Sequence, residues 1–84
     1  MNAISMPVPG QIETIDVSEP QVGPEDVLVE IRYVGLCGSD LGMYRGTFAI
    51  GTYPRIPGHE ASGTIVAKGE HVPDSICTGD RVTL

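Results

Sequence analysis

The chain has 84 residues, a net charge of −6, and hydrophobic residues at 40% of its positions. This length fits one small domain, and five basic residues spread along the chain are too few for a protein that binds a nucleic-acid backbone. No segment approaches the roughly 20 apolar residues that span a bilayer, and Met1–Gly10 lacks the basic start and apolar stretch of a signal peptide. We therefore expect a cytoplasmic protein that binds neither nucleic acid nor a membrane.

Two strands are predicted in the first half of the chain. Over Asp26–Val34, β-branched and aromatic residues recur at every second position, which is the period of a strand with one buried face. That face carries Val27, Val29, Ile31 and Tyr33. Gln11–Val17 has a weaker pattern, typical of an edge strand, and a rigid turn at Pro20–Pro24 separates the two segments. We expect them to pair as consecutive strands of an antiparallel sheet.

A short helical turn and a long loop are predicted next. Gly35 ends the strand, and the small polar residues of Gly38–Asp40 favour the start of a helical turn that continues through Leu41–Tyr44. The glycines and prolines of Thr47–Pro57 indicate an irregular loop. This loop leads directly into Gly58-His59-Glu60 and is expected to hold that tripeptide in one orientation.

The last part of the chain is predicted to return to β structure. Ala61–Lys68 alternates as a strand, with Ala61, Gly63, Ile65 and Ala67 on one face. His71–Cys77 is expected to be a loop, and Gly79–Val82 begins a further strand close to the last residue. The whole pattern indicates a mainly β fold, a meander or partial barrel with one short helical turn.

Cys37 and His59 are the residues whose types most clearly suggest metal binding or catalysis. Thiolate and imidazole are preferred zinc ligands, and the neighbouring carboxylates of Asp40 and Glu60 could support them, because a zinc-bound histidine usually donates its second nitrogen to a carboxylate. Two ligands do not complete a zinc site. By residue type alone, a cysteine is more often a buried small hydrophobe than a zinc ligand. A nucleophilic Cys37 with His59 as its base is a further alternative, disfavoured because no oxyanion hole or third orienting group is evident.

The order and spacing of several motifs bring a family into view. The motifs are Gly35–Asp40, Tyr53–Glu60, Gly79–Val82, and the series Gly58, His59, Glu60, Gly63, Gly69 and Val72. Together they resemble the zinc-dependent medium-chain dehydrogenase/reductase family, which includes alcohol and sorbitol dehydrogenases. The resemblance runs from Val27 to Val82.

The resemblance implies both a fold and an activity. Residues 1–84 would be the N-terminal part of a GroES-like catalytic domain, a partial β-barrel, and the dinucleotide-binding Rossmann domain would be absent from this chain. The complete protein would transfer hydride between an alcohol or polyol and NAD or NADP, and it would be a homo-oligomer. The isolated chain is expected to be inactive, because the cofactor would bind to the missing domain.

The resemblance also assigns roles to five residues. Cys37 and His59 would be ligands of a catalytic zinc, and Glu60 would coordinate the metal or lie just behind it. Asp40 would orient the His59 imidazole, and Ser39 would hydrogen-bond the substrate hydroxyl and pass its proton onward. The third protein ligand that the family supplies would lie beyond Leu84.

One position departs from the family pattern. Many members carry a histidine five residues after the motif cysteine as the next group in the proton relay, and here that position is Gly42. The relay would then run through water or another group. Two alternatives stay open: a free-standing GroES-like module that binds or interacts without catalysis, and a zinc-independent reductase. The second is disfavoured, because it would not need Cys37, His59 and Glu60 together.

Overall fold

A computed structural model describes residues 1–84, which form five strands and one helix. The strands are β1 (Asn2–Ser5), β2 (Glu13–Asp16), β3 (Val27–Gly35), β4 (Glu60–Lys68) and β5 (Arg81–Thr83), and the helix is α1 (Gly38–Arg45). The predominance of strands confirms the mainly β class, and the helix lies where the helical turn was predicted. Its eight residues are far fewer than a bilayer requires, and no helix of the structure meets the length and hydropathy of a membrane span.

The chain divides into two compact units, and the first comprises Met1–Glu19 and Gly35–His59. In this unit β1 and β2 pair antiparallel, with Asn2 opposite Asp16 at one end. A separate backbone bridge joins Met6 and Arg55 through hydrogen bonds of 2.7 and 3.0 Å. Met6 and Met43 are the buried apolar residues of the unit, at 5% and 3% exposure.

The predicted partner of the Gln11–Val17 segment is wrong. Its strand, β2, pairs with β1, whereas β3 belongs to a different sheet. Two contacts beyond the strands add to the pairing of β1 with β2. The Val17 N–H donates to the Met1 carbonyl at 2.8 Å, and the N-terminal ammonium lies 2.9 Å from the Asp16 carboxylate. Strand β1 was not predicted, because its four residues are too few to show a clear period-two pattern.

The second unit comprises Pro20–Val34 and Glu60–Leu84, and it contains a three-stranded sheet in the order β3-β4-β5. Strands β4 and β5 are antiparallel, with Gly63 opposite Val82. The alternation predicted for β4 is confirmed, since Gly63 and Ile65 are buried. Ile65 is 2% exposed and Val72 is 9% exposed, and these two side chains form the apolar core of the unit.

The predicted burial of one face of β3 is wrong. Ile31 is 44% exposed and Tyr33 is 78% exposed, and only Leu28 and Val29 on this strand are half-buried. Alternation reports which side chains share a face of a strand, but burial also needs a second layer to cover that face. In the second half of β3 the side chains of Ile31, Tyr33 and Val34 stay largely accessible to solvent.

Candidate active site

Helix α1 begins immediately after Cys37, and this position fixes the backbone of the cysteine. Cys37 has extended dihedral angles (φ −109°, ψ 158°) at the helix N-cap. Its N–H donates to Asp40 Oδ2 at 2.9 Å, so the third residue of the helix reaches back to satisfy a backbone donor that the helix cannot use. The Asp40 charge in the first turn also suits the positive end of the helix dipole.

The end of the helix is equally well defined. Gly46 adopts a left-handed conformation (φ 76°), and its N–H donates to the Met43 carbonyl at 3.3 Å. Only a glycine takes such a backbone angle without strain. The tight turn sends the chain into the loop that was predicted for Thr47–Pro57, and this segment indeed contains no helix or extended strand.

Two anchors hold the loop before it reaches His59. The Arg55 backbone forms the bridge to Met6, and the Tyr53 hydroxyl donates a hydrogen bond to the Met43 carbonyl. The Tyr53–Pro54 peptide is cis. Because its backbone is fixed at both the helix and the N-terminal segment, this loop presents His59 from a defined position.

The structure brings together the two residues that are the strongest zinc-ligand candidates in the sequence. Donor atoms of Cys37 and His59 lie within 4.8 Å of each other, although the residues are 22 positions apart. Cys37 is half-buried, whereas the His59 side chain is 54% exposed. Glu60 follows His59 in the chain and is exposed. One of its carboxylate oxygens lies within 4.8 Å of a ring nitrogen of His59.

Asp40 connects these two residues through its two carboxylate oxygens. While Oδ2 accepts the Cys37 N–H, Oδ1 lies 3.7 Å from His59 Nδ1. Asp40 is only 8% exposed, whereas the His59 side chain is 54% exposed, so solvent screens part of this electrostatic contact. A carboxylate beside Nδ1 favours the imidazole tautomer that carries its proton there, which leaves Nε2 as the nitrogen for a metal.

An open pocket of about 390 Å³ adjoins this group. Ser39, Asp40 and His59 supply polar atoms to its wall. The remaining lining residues are Met43, Phe48, Arg55, Ile56, Pro57 and Gly58. Its volume lies within the range of small-molecule sites, roughly 300–1,000 Å³, and a mostly apolar wall with a few convergent polar groups is typical of them.

Arg55 is a member of this pocket that the sequence did not single out as functional. It stands four residues before His59 in the Tyr53–Glu60 motif, so a side chain near the histidine could have been suspected from that spacing. Phe48 was likewise assigned only to a loop. Both residues line the pocket because the loop that carries them lies beside helix α1. Sequence periodicity does not indicate where such a loop lies.

The donor set matches the chemistry of zinc. Thiolate, imidazole and carboxylate oxygen, which Cys37, His59 and Glu60 offer, are the three side-chain donor types that zinc takes in proteins. The carboxylate of Asp40 beside the imidazole adds the outer contact that commonly accompanies a zinc-bound histidine. These residues would therefore suit a zinc ion better than magnesium or calcium, which prefer oxygen ligands alone.

Comparisons with known proteins agree with this chemistry. A model of the alcohol dehydrogenase GroES-like domain matches residues 23–84. An uncharacterised zinc-type alcohol dehydrogenase-like protein of Haemophilus influenzae is 40% identical over 82 residues, which cover 98% of this chain and 24% of that protein. D-arabitol-phosphate dehydrogenase of Enterococcus avium is also 40% identical, over 85 residues, which cover 99% of this chain and 24% of the relative.

Solved structures show the same fold. Galactitol-1-phosphate dehydrogenase from Escherichia coli superposes with a TM-score of 0.89 and 34% sequence identity, over 99% of this chain and 24% of that protein. The chain thus spans about a quarter of the length of the relatives it matches. The mainly β, GroES-like fold class predicted from the sequence is confirmed.

Proposed function

Since the chain belongs to the alcohol dehydrogenase GroES-like domain family, we propose that it forms the N-terminal part of the catalytic domain of a zinc-dependent dehydrogenase. The complete protein would transfer hydride between an alcohol or polyol and NAD or NADP. The nucleotide would bind to a Rossmann domain that residues 1–84 do not include. Two of the relatives are named for polyol phosphates, which supports a sugar alcohol or its phosphate as the substrate.

The observation that carries this proposal is the meeting of Cys37 and His59 within 4.8 Å, with Asp40 in contact with both. Cys37 and His59 would be protein ligands of the catalytic zinc. Glu60 would coordinate the metal or accept a hydrogen bond just behind it. Asp40 would hold the imidazole ring in place.

The pocket residues suggest how the substrate is handled. Bound zinc supplies Lewis-acid chemistry, which lowers the pKa of an alcohol and favours loss of hydride from its carbon. Ser39, half-buried in the pocket wall, would accept the proton of the substrate hydroxyl and donate its own to the next group. With Gly42 in place of an imidazole, that next group would be water or another side chain. The apolar residues of the wall would limit the access of bulk water.

Metal binding can be tested on this chain by titration with Co²⁺, whose bond to a thiolate gives a characteristic absorption band. We expect Cys37→Ser and His59→Ala to remove or strongly weaken the band. The chain contains two cysteines and two histidines, so Cys77→Ser and His71→Ala are matched controls that should retain it. Loss of the band in the controls, or its persistence in both site variants, would show that the proposed ligands are wrong.

Hydride transfer requires a separate test on the complete protein. We expect polyol-dependent reduction of NAD or NADP, followed by absorbance of the reduced nicotinamide, and loss of that activity when zinc is removed. A protein that bound Co²⁺ through Cys37 and His59 but reduced neither nucleotide would instead support the non-catalytic module. The homo-oligomeric state and cytoplasmic location of the complete protein stay predictions.

A further inference from the structure

We propose that Arg55 binds an anionic phosphate group of the substrate and thereby selects phosphorylated polyols over neutral ones. This inference rests on the proposed function, because it assigns a specificity role within the same pocket. Arg55 lines the cavity together with Ser39 and His59. A substrate whose hydroxyl contacted those two residues would therefore lie in the same open pocket as the guanidinium group.

The guanidinium lacks a negative partner within the chain. Its nearest polar contacts are Met43 Sδ, 3.7 Å from Nη1, and Thr52 Oγ1, 3.3 Å from Nη2. Both acceptors are neutral, and the thioether sulfur is a weak one. No carboxylate lies within ion-pair distance of Arg55. Arg32, by contrast, pairs with Glu30 at 3.0 Å.

The only carboxylate in the pocket wall is already engaged elsewhere. Asp40 directs one oxygen to the Cys37 N–H and the other toward His59. Arg55 carries five N–H donors in a planar fork, and its two contacts leave most of them available. A half-buried positive charge with neutral neighbours is stabilised most by an anion, and phosphate matches the fork in a bidentate manner.

The backbone of Arg55 is fixed, which favours recognition over incidental contact. Its N–H and C=O are both used in the bridge to Met6, at 3.0 and 2.7 Å. A group held in this way loses less conformational freedom when a ligand binds. The backbone of Arg55 therefore has a defined place in the pocket wall, from which the guanidinium reaches Met43 Sδ and Thr52 Oγ1.

The first experiment uses this chain, without metal, and inorganic phosphate as the probe. Phosphate is titrated while the backbone amide signals of the pocket residues Ser39, Gly58 and His59, which every variant retains, are followed by ¹H–¹⁵N NMR. We expect saturable shifts in the original chain. Arg55→Gln should lower the affinity for phosphate by about 10-fold or more, the usual effect of losing a hydrogen bond between charged groups. Arg55→Lys keeps the charge but loses the fork, so it should bind with intermediate affinity. Arg45→Gln, on the same unit but outside the pocket, should bind like the original chain.

Equal phosphate affinity in the original chain and Arg55→Gln would overturn the proposal, as would an equal loss in Arg45→Gln. Should Arg55→Gln fail to fold by circular dichroism, Arg55→Lys decides: unchanged affinity contradicts recognition by the fork. Because the titration involves neither zinc nor nicotinamide, it gives its answer even if the complete protein is not a dehydrogenase.

The second experiment uses the complete dehydrogenase and compares kcat/KM for a polyol phosphate with kcat/KM for the corresponding neutral polyol. We expect the ratio to fall by about 10-fold or more in Arg55→Gln and to stay constant in Arg45→Gln. A ratio unaffected by Arg55→Gln would refute the specificity role. An enzyme inactive with every polyol, in which Arg55 still binds phosphate, would refute the proposed function and leave the anion site standing.

Discussion

Asp40 Oδ1 lies 3.7 Å from His59 Nδ1 while the other oxygen of the same carboxylate accepts the Cys37 N–H. The contact is longer than a direct hydrogen bond, and it is electrostatic in character. The buried Asp40 side chain thereby contacts both Cys37 and His59, which come from separate parts of the chain. The geometry of the proposed zinc ligands thus depends on the start of helix α1.

We expect Asp40→Asn to weaken Co²⁺ binding by about 10- to 100-fold, the usual effect of losing a carboxylate next to a metal-bound histidine. The amide is isosteric but uncharged, so it no longer favours the imidazole tautomer that presents Nε2. Isothermal titration calorimetry measures the affinity.

Asp80→Asn is the matched control for this prediction. Asp80 Oδ2 accepts the Cys77 N–H at 2.9 Å, which reproduces the local Cys-x-x-Asp contact away from any histidine. The control should therefore leave Co²⁺ affinity within about twofold. If both variants bound Co²⁺ equally well, the orienting role of Asp40 would be wrong.

We expect Ser39→Ala in the complete dehydrogenase to lower kcat by about 10²- to 10⁴-fold, the range attributed to a positioned proton-transfer group, with full zinc content. Removing the hydroxyl takes away the group that accepts the substrate proton but none of the proposed ligands. Steady-state kinetics and metal analysis of the same preparation give the two values. Ser75→Ala, in an exposed loop, should change neither, and a Ser39→Ala enzyme with unaltered kcat would exclude the relay.

The sequence singled out Cys37, Asp40 and His59 through their types and the family resemblance, and the structure places these residues near one another. Their roles at a zinc ion stay predictions. The strand positions of β3 and β4 followed from period two. The pairing of β2 with β1 did not, since period two indicates that a segment is a strand but not which other strand it pairs with.

Arg55 illustrates what spacing cannot reveal. Nothing in the sequence indicates that its guanidinium has no carboxylate nearby, because the distribution of charges around a side chain depends on distant residues. The exposure of Tyr33 has a similar origin. A strand pattern states which side chains lie together on a face, and only the arrangement of other layers determines whether that face is covered.

Two glycine substitutions should affect stability in opposite directions. At Gly42 in helix α1, an added Cβ would meet Phe48 Cβ at 3.6 Å and Thr47 Oγ1 at 3.7 Å, which are ordinary contacts. We expect Gly42→Ala to raise the free energy of unfolding by about 0.5–1 kcal/mol, the usual gain on replacing glycine within a helix.

At Gly63 in β4, the same Cβ would collide with the Glu30 backbone and lie 2.8 Å from Val29 Cγ1. We expect Gly63→Ala to lower the free energy of unfolding by about 1–3 kcal/mol or more, because strands must separate to admit the methyl group. Urea unfolding followed by circular dichroism measures both variants. A destabilised Gly42→Ala or a neutral Gly63→Ala would contradict the described packing.

Met43 should be the residue of helix α1 on which the first unit depends most. It is 3% exposed, its sulfur contacts Arg55 Nη1, and its carbonyl accepts the Tyr53 hydroxyl. We expect Met43→Ala to lower the free energy of unfolding by about 2–5 kcal/mol, as is usual when a large buried side chain is truncated. Because Met43 also lines the pocket, the cavity would enlarge beside the guanidinium and the phosphate affinity of the chain should fall as well.

Leu41→Ala provides the comparison on the same helix, because Leu41 is 49% exposed. This substitution should lower the free energy of unfolding by less than about 1 kcal/mol. The two variants remove similar apolar volumes and retain the helix backbone. Their difference therefore reports burial and not helix propensity, since leucine and methionine have nearly equal propensities. If urea unfolding gave equal losses of stability for Met43→Ala and Leu41→Ala, burial of Met43 would not be what anchors helix α1.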